Sequence, residues 1–353
     1  CLKQWQHRKL TLLGKVTVIK TFALPKLIYP LTVLKTPPPA TIKYINDIMY
    51  NFLWENKPGK IKRDTLTKDY EEGGIKMIDI QKFINSIKCS WVKRIFELND
   101  ENPLKHIYLK HLNKFGGKLI FECNLTEDDL KRYFNANTFL SDILIAWRKI
   151  FAHQLSPFSS KTVIWNNSLI RAGNKPLFYK RWSEKGITTL GDIFDLRTHT
   201  YYTFDMINFL YNIPNEDFMK YLSLKSSIPS AVKTHLTNEN NTTLSTTNYF
   251  NKVLTCQKPT KFLYTYQIKS NDEPITQIKK WENIFGNEHI LWKSVFKLPY
   301  DITVNNKLRN FNYKYIMRIV RTNKELFKFK LVNSSLCDFC FQSNETTLHL
   351  FWE

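Results

Sequence analysis

Apolar residues recur at helical spacing through most of this chain, and that period limits the fold more than any other feature. Over residues 79–98, Ile80, Phe83, Ile84, Ile87, Trp91 and Ile95 share one face, while Lys82, Lys88, Lys93 and Arg94 fall largely off it. Residues 1–35 alternate basic and apolar. Leu12, Val16, Ile19, Ala23 and Leu27 keep the helical spacing with Lys9, Lys15, Lys20 and Lys26 between them, and Pro25 and Pro30 are expected to kink or end that helix. After the proline run at 37–39, Ile42, Ile45, Met49, Phe52 and Leu53 form one stripe. Residues 140–155 read as an amphipathic helix, and further helices are expected near 274–285, 288–297 and 302–321. Extended pieces are expected in the Gly-hinged "EEGGIKMIDI", in short runs between 159 and 187 ahead of a helix start at Thr188–Asp192, and in "KFLYTYQI" near 261–268. The pattern predicts a mostly α fold with minor β.

The chain has 353 residues, enough for two or three domains. The polar, aperiodic run "TNENNTTLSTTN" at 237–248 reads as a linker. The division expected along the chain is therefore 1–100, 101–236, a linker at 237–250, and 251–353. No stretch approaches eighteen uncharged apolar residues, so neither a membrane span nor a membrane partner is expected. The six cysteines are scattered except for the last pair, which fits a reducing, intracellular compartment.

Charge says most about partners. Lys and Arg number 52 against 31 Asp and Glu, a formal net charge of +21, and such an imbalance points to a polyanion such as RNA or DNA. An AT-rich genome also enriches lysine, but composition alone does not place it. Catalysis finds no support in the residues. Metal-dependent polymerases and nucleases need clustered carboxylates, and the one adjacent aspartate pair, Asp128-Asp129, reads as the first turn of a helix capped by Thr126. No Gly-rich phosphate loop is present, and the eight histidines are dispersed.

The strongest motif lies at the end of the chain. Cys337, Cys340 and His349 have the spacing of three ligands of a small Cys₂HisCys zinc site, in which two thiolates reach one ion across a tight turn. The fourth ligand is missing, so zinc is expected to bind weakly, and residues 337–353 are expected to be largely disordered as they stand. Just upstream, Lys307, Lys314, Arg318 and Arg321 fall on one face of the helix expected over 302–321, a cation row suited to phosphates. The alternatives are a solvated helix face and a chance CxxC. A basic helical protein–protein interaction module with a vestigial cysteine pair is the rival functional class.

Several blocks, in order, carry a resemblance: "RKLTLLGKVTVIKTFALPKLIYPL", "FLWENKPGKIKRDTL", "DYEEGGIKMIDIQKFINSIKCSWVKRIF", "WENIFG", "KLRNFNYKYIMRIVRTNKELFKFKLVNSSLCDFC" and "ETTLHLFWE". Together they resemble the C-terminal part of the LINE-type (non-LTR) retrotransposon reverse transcriptase polyprotein. The resemblance implies a helical thumb over about 1–100, followed by a helical C-terminal region ending in an incomplete zinc knuckle. Cys337, Cys340 and His349 match the knuckle's first three ligands, with a fourth cysteine expected directly after Glu353. The polymerase and endonuclease carboxylates have no counterpart here, so the fragment is expected not to be an enzyme alone. It implies that the chain holds template–primer duplex and element RNA or target DNA during target-primed reverse transcription, in cytoplasm and nucleus, beside the rest of the polyprotein. Lys15, Lys20, Lys26, Lys60, Lys62 and Arg63 are the candidate phosphate contacts in the thumb.

Overall fold

The computed structural model describes residues 1–134, 138–151, 159–237, 248–269, 274–286 and 290–351. It is 62% helical and only 4% strand, so the fold is mostly α with minor β. The strands form two antiparallel hairpins, Arg171–Ala172 with Lys175–Pro176 and Phe194–Asp195 with Thr200–Tyr201. The first lies within the stretch read as short extended pieces, and the second follows it. Most of the expected linker, 238–247, lies outside the described residues. The chain divides into two compact units, whose boundaries differ from the linear division at 100, 236 and 250.

Unit 1 is assembled from residues 1–31, 37–81 and 268–353. Its first long helix runs Leu12–Val33, its last residues passing into the second unit. The prolines do not end it. A widened π turn at Ile19–Ala23 precedes Pro25 and changes the hydrogen-bond register just where the ring would otherwise clash. At 22 residues this helix is long and apolar enough to cross a membrane by length and composition. The sequence reading missed this because lysines interrupt the run. A core helix passes the same test when it is mostly buried; here Leu12, Leu13, Val16, Val18, Ile19, Leu24 and Leu31 are buried, but only 28% of the most apolar window lies inside the fold.

The helix Pro39–Trp54 follows and ends on Glu55, which takes the left-handed conformation at φ 55°. Glu71 and Glu72 close a short 3-10 turn, Tyr70–Glu72, so the expected extended strap is confined to residues 74–79, with Lys76 left-handed at φ 55°. Ile75 and Met77 both donate their backbone N–H to the Leu66 carbonyl, at 3.1 and 2.8 Å. Gly73 is required at its turn. Its φ is +75°, and a Cβ there would lie 2.6 Å from Ile275 Cδ1 and 2.9 Å from Phe296 Cζ. The strap then enters the helix Ile80–Glu97, close to the limits its apolar period predicted.

The C-terminal part of unit 1 holds the helices Thr276–Phe285, Trp292–Ile302 and Asn306–Ile316. The single helix expected over 302–321 is thus replaced by a shorter one. The Asn305 side chain accepts the Lys307 N–H to start it, and Arg318 turns left-handed at φ 53° just beyond its end.

Unit 2 comprises residues 32–36 and 82–267. Its core is aromatic, with Trp165 and Trp182 fully buried and their indole N–H groups bonded to the Ile187 carbonyl (2.6 Å) and Asp217 Oδ2 (2.9 Å). The amphipathic helix read at 140–155 is described as Phe139–Phe151. The expected extended piece "KFLYTYQI" is instead part of the helix Pro259–Lys269. Alternating aromatics suggested a strand there, yet Leu263 and Gln267 lie one helical turn apart and face inward. Gln267 Nε2 donates to the Lys82 carbonyl (3.0 Å) and the Ser86 hydroxyl (2.8 Å), a burial that overrides local propensity.

Candidate metal centre and cation cluster

Two backbone bonds fold the tail into a knuckle before any metal is considered. Cys337 N–H donates to the Ser343 carbonyl and Glu345 N–H to the Ser335 carbonyl, each at 2.8 Å, around the Leu336–Asn344 bridge. Phe341 N–H closes the turn on the Cys337 carbonyl at 2.8 Å. Thr346 then starts a short helix, Thr347–Phe351, by accepting the His349 N–H at 3.0 Å, and that helix turns His349 back toward the cysteines.

The result brings Cys337 Sγ, Cys340 Sγ and a His349 ring nitrogen within 4.8 Å of one another, with Cys340 Sγ 3.2 Å from His349 Nε2. Ligands of one tetrahedral zinc, at bonds of about 2.3 Å to sulfur and 2.0 Å to nitrogen, stand at about this separation. The donor chemistry fits as well. Backbone amides of Ser343 and Gln342, followed by His349 and Cys337, draw the Cys340 thiol down to about 7, into the thiolate form that a metal needs. Cys337 is buried and its Sγ accepts the Phe339 N–H at 3.4 Å. These three residues can hold a metal ion, and among the described residues they are the one such group of His, Cys, Asp or Glu.

The tail is not disordered over 337–351. Part of its anchoring needs no metal, which the sequence reading did not anticipate. The buried Glu345 carboxylate accepts the Asn323 N–H at 2.8 Å, tying the knuckle to the start of the helix Asn323–Lys328. Phe351 packs edge-on against Phe311 and Tyr315, with ring centroids 5.6 and 5.1 Å apart, and so fixes the last helix to the Asn306–Ile316 helix. Glu345 was missed because a lone acid after a CxxC gives no local signal of its partner.

The cation candidates separate into distinct groups. Lys15 is buried and structural: its Nζ donates to the Leu53 carbonyl (3.2 Å) and to Glu55 Oε1 (2.7 Å), closing the end of the Pro39–Trp54 helix. Lys20 is half-buried near Lys76 and Asp69, and burial lowers its pKa. Arg63 pairs with Asp47 at 3.1 Å and lies over the Tyr50 ring. Lys26 and Lys62 are exposed. The one-face row of Lys307, Lys314, Arg318 and Arg321 does not form, because the helix stops at Ile316. Arg318 stacks on Trp281 instead, 5.0 Å from the ring centre.

A different cluster replaces that row. Lys60 Nζ donates to the Ile319 carbonyl at 3.4 Å. Its pKa is lowered first by burial, then by the nearby charge of Arg321 and, more weakly, of Lys314, with Glu325 opposing. Lys60, Lys314 and Arg321 therefore share one electrostatic neighbourhood, drawn from two distant stretches of sequence. The Asp128-Asp129 pair is occupied elsewhere, in unit 2. Asp129 is buried, completes the Thr126 capping box and pairs with Arg171 at 2.5 Å, and Asp128 lies 3.7 Å from Lys131. No protein-family model matches the chain.

Proposed function

We propose that this chain is a nucleic-acid-binding part of a LINE-type non-LTR retrotransposon reverse transcriptase, with zinc at Cys337, Cys340 and His349. In this reading it holds template–primer, and element RNA or target DNA, during target-primed reverse transcription, and it does not catalyse by itself. Its partners are RNA, DNA and the rest of the polyprotein, in cytoplasm and nucleus. One observation carries the reading. Lys60, bonded to the Ile319 carbonyl, feels the charge of Arg321 and, more weakly, of Lys314, with Glu325 partly opposing, in the same unit as a three-ligand metal knuckle; Arg321 is two residues from Asn323, which that knuckle holds. Like charges gathered at a surface favour a polyanion that relieves the repulsion. The order of the blocks from "RKLTLLGKV" to "ETTLHLFWE" supports the family assignment.

The test is fluorescence anisotropy with labelled duplex DNA, duplex RNA and RNA–DNA hybrid over a range of salt. Affinity is expected to fall linearly in log–log form, with each phosphate contact contributing about 0.9 to the slope on B-DNA. The Lys60→Glu, Arg321→Glu variant should weaken binding to every sequence and flatten the slope by about two units. Binding that ignores salt, or that the double variant leaves unchanged, would return the chain to the protein-interaction class.

A further inference from the structure

Two short helices of unit 2 are apolar on both sides. In Phe204–Tyr211 the side chains of Phe204 and Ile207 are buried, and in Phe218–Ser227 those of Tyr221 and Leu224 are buried. This inner stripe meets the needs of the fold. Phe204 packs against Phe218 and Tyr221, with ring centroids 5.4 and 5.8 Å apart, and the Tyr221 hydroxyl donates to the Tyr202 carbonyl at 2.7 Å. A second stripe faces out on each helix. Met206, Phe209 and Leu210 stand three and four positions apart on the first, and Phe218, Met219 and Leu222 do so on the second. Phe209 is 84% exposed and Met219 is 71% exposed. A helix on a protein surface ordinarily turns a polar face to water, and one that is apolar all round is covered.

Charge says what covers it. The chain carries 52 Lys and Arg in 353 residues, yet none from 198 to 219, where the charged residues are Asp205, Glu216 and Asp217. Asp217 is engaged within the fold by the Trp182 indole and by Lys220. Asp205 and Glu216 are exposed, and among the described residues neither pairs with a cation. An acidic rim repels RNA, DNA and an anionic bilayer alike. It also disfavours a second copy seated face to face, because acid would meet acid. We infer that the helices Phe204–Tyr211 and Phe218–Ser227 form a docking face for a cationic amphipathic helix of a partner protein. The apolar side of such a helix covers Phe209 and Met219, and its lysines or arginines reach Asp205 and Glu216. The flexible thioethers of Met206 and Met219 let the face adapt to the side chains it receives. This face belongs to unit 2 and stands independently of the nucleic-acid reading, which rests on unit 1.

The experiment uses the full chain and three labelled synthetic peptides: an amphipathic helix of leucine and lysine, the same helix with glutamate for lysine, and a scrambled leucine–lysine control. The first should bind saturably despite the +21 charge of the chain, and the other two about tenfold more weakly or less. Phe209→Ser with Met219→Ser should weaken the leucine–lysine helix by about tenfold or more. Melting temperature and nucleic-acid binding should be unchanged in that variant, since both side chains are exposed. Asp205→Lys with Glu216→Lys should turn the preference toward the leucine–glutamate helix. A leucine–lysine helix that binds no better than its scrambled control, or equally to wild type and the double-serine variant, would overturn the inference. Self-association, or binding to phosphatidylserine vesicles, that the double-serine variant abolishes at unchanged peptide affinity would overturn it in favour of a second copy or a bilayer. Each of these outcomes leaves the test at Lys60 and Arg321 as it stands.

Discussion

Asn310 Oδ1 accepts the backbone N–H of Leu12 at 3.0 Å, across 298 positions of sequence. Leu12 opens its helix, so its N–H has no partner within that helix, and the buried Asn310 supplies one from near the other end of the chain. Asn310→Ala leaves that donor buried and unpaired. It should cost about 1–3 kcal/mol in urea unfolding, and unit 1 should account for the loss.

Lys15 should behave as a structural lysine and not as a phosphate contact. Lys15→Met keeps much of the buried volume but gives up the bonds to Leu53 and Glu55. The melting temperature should fall, whereas the salt slope for nucleic acid should stay as in wild type. A flattened slope in this variant would place Lys15 back on the binding surface.

Lys88 is the buried cation of unit 2. It is fully buried, bonds the Leu34 carbonyl and lies 4.5 Å from the centre of the Phe139 ring. Burial lowers its pKa to about 8, with Asp142 partly opposing. Because the folded value lies below the unfolded one, the unfolded chain binds more protons between about pH 8 and 10.5, and this lysine's contribution to stability rises with pH across that window. Below pH 8 its charge weighs against folding. Lys88→Met should therefore stabilise the protein at pH 7 by about 1–2 kcal/mol, and the gain should shrink as pH approaches 10. Denaturation of both proteins at pH 7 and pH 9.5 reads the difference directly.

Zinc should bind with a stoichiometry of one. Cys337→Ser and His349→Ala should each weaken it by orders of magnitude in competition with a chelator, because each removes one of three donors. The backbone frame around Glu345 and Phe351 should survive metal removal better than a knuckle held by its ion alone. Hydrogen exchange at the Cys337 and Glu345 amides, with and without chelator, measures this.

The parts of the molecule legible in the sequence are those whose cause is local. The Ile80–Glu97 helix follows from an apolar period sustained over five turns, the strap from Gly73-Gly74, and the first turn of the Glu127–Tyr133 helix from Thr126 and its acids. The three metal ligands were legible for the same reason, since CxxC spacing is a short-range property. What escaped has a distant cause. Nothing near Lys60 announces Arg321, and nothing in "KFLYTYQI" reveals that Gln267 turns inward to Ser86. The break before Asn306 and the stop at Ile316 are decided by one asparagine cap and one left-handed arginine, cues too short to interrupt the apolar period. The cation row failed there because its period was extended past the helix that would have carried it.

The discontinuity of unit 1 fixes an order of events during synthesis. The Leu12 amide leaves the ribosome early, but Asn310 does not exist until residues 82–267 have been made. At about 5–20 residues per second the 298 positions between them take roughly 15–60 s. Throughout that interval, Leu12, Leu13, Val16 and Ile19 lack the C-terminal segment that completes their unit, while the inserted unit is whole as soon as residue 267 has been made. The nascent chain therefore carries an unfinished apolar helix ahead of a finished domain, a natural client for a chaperone acting on the ribosome.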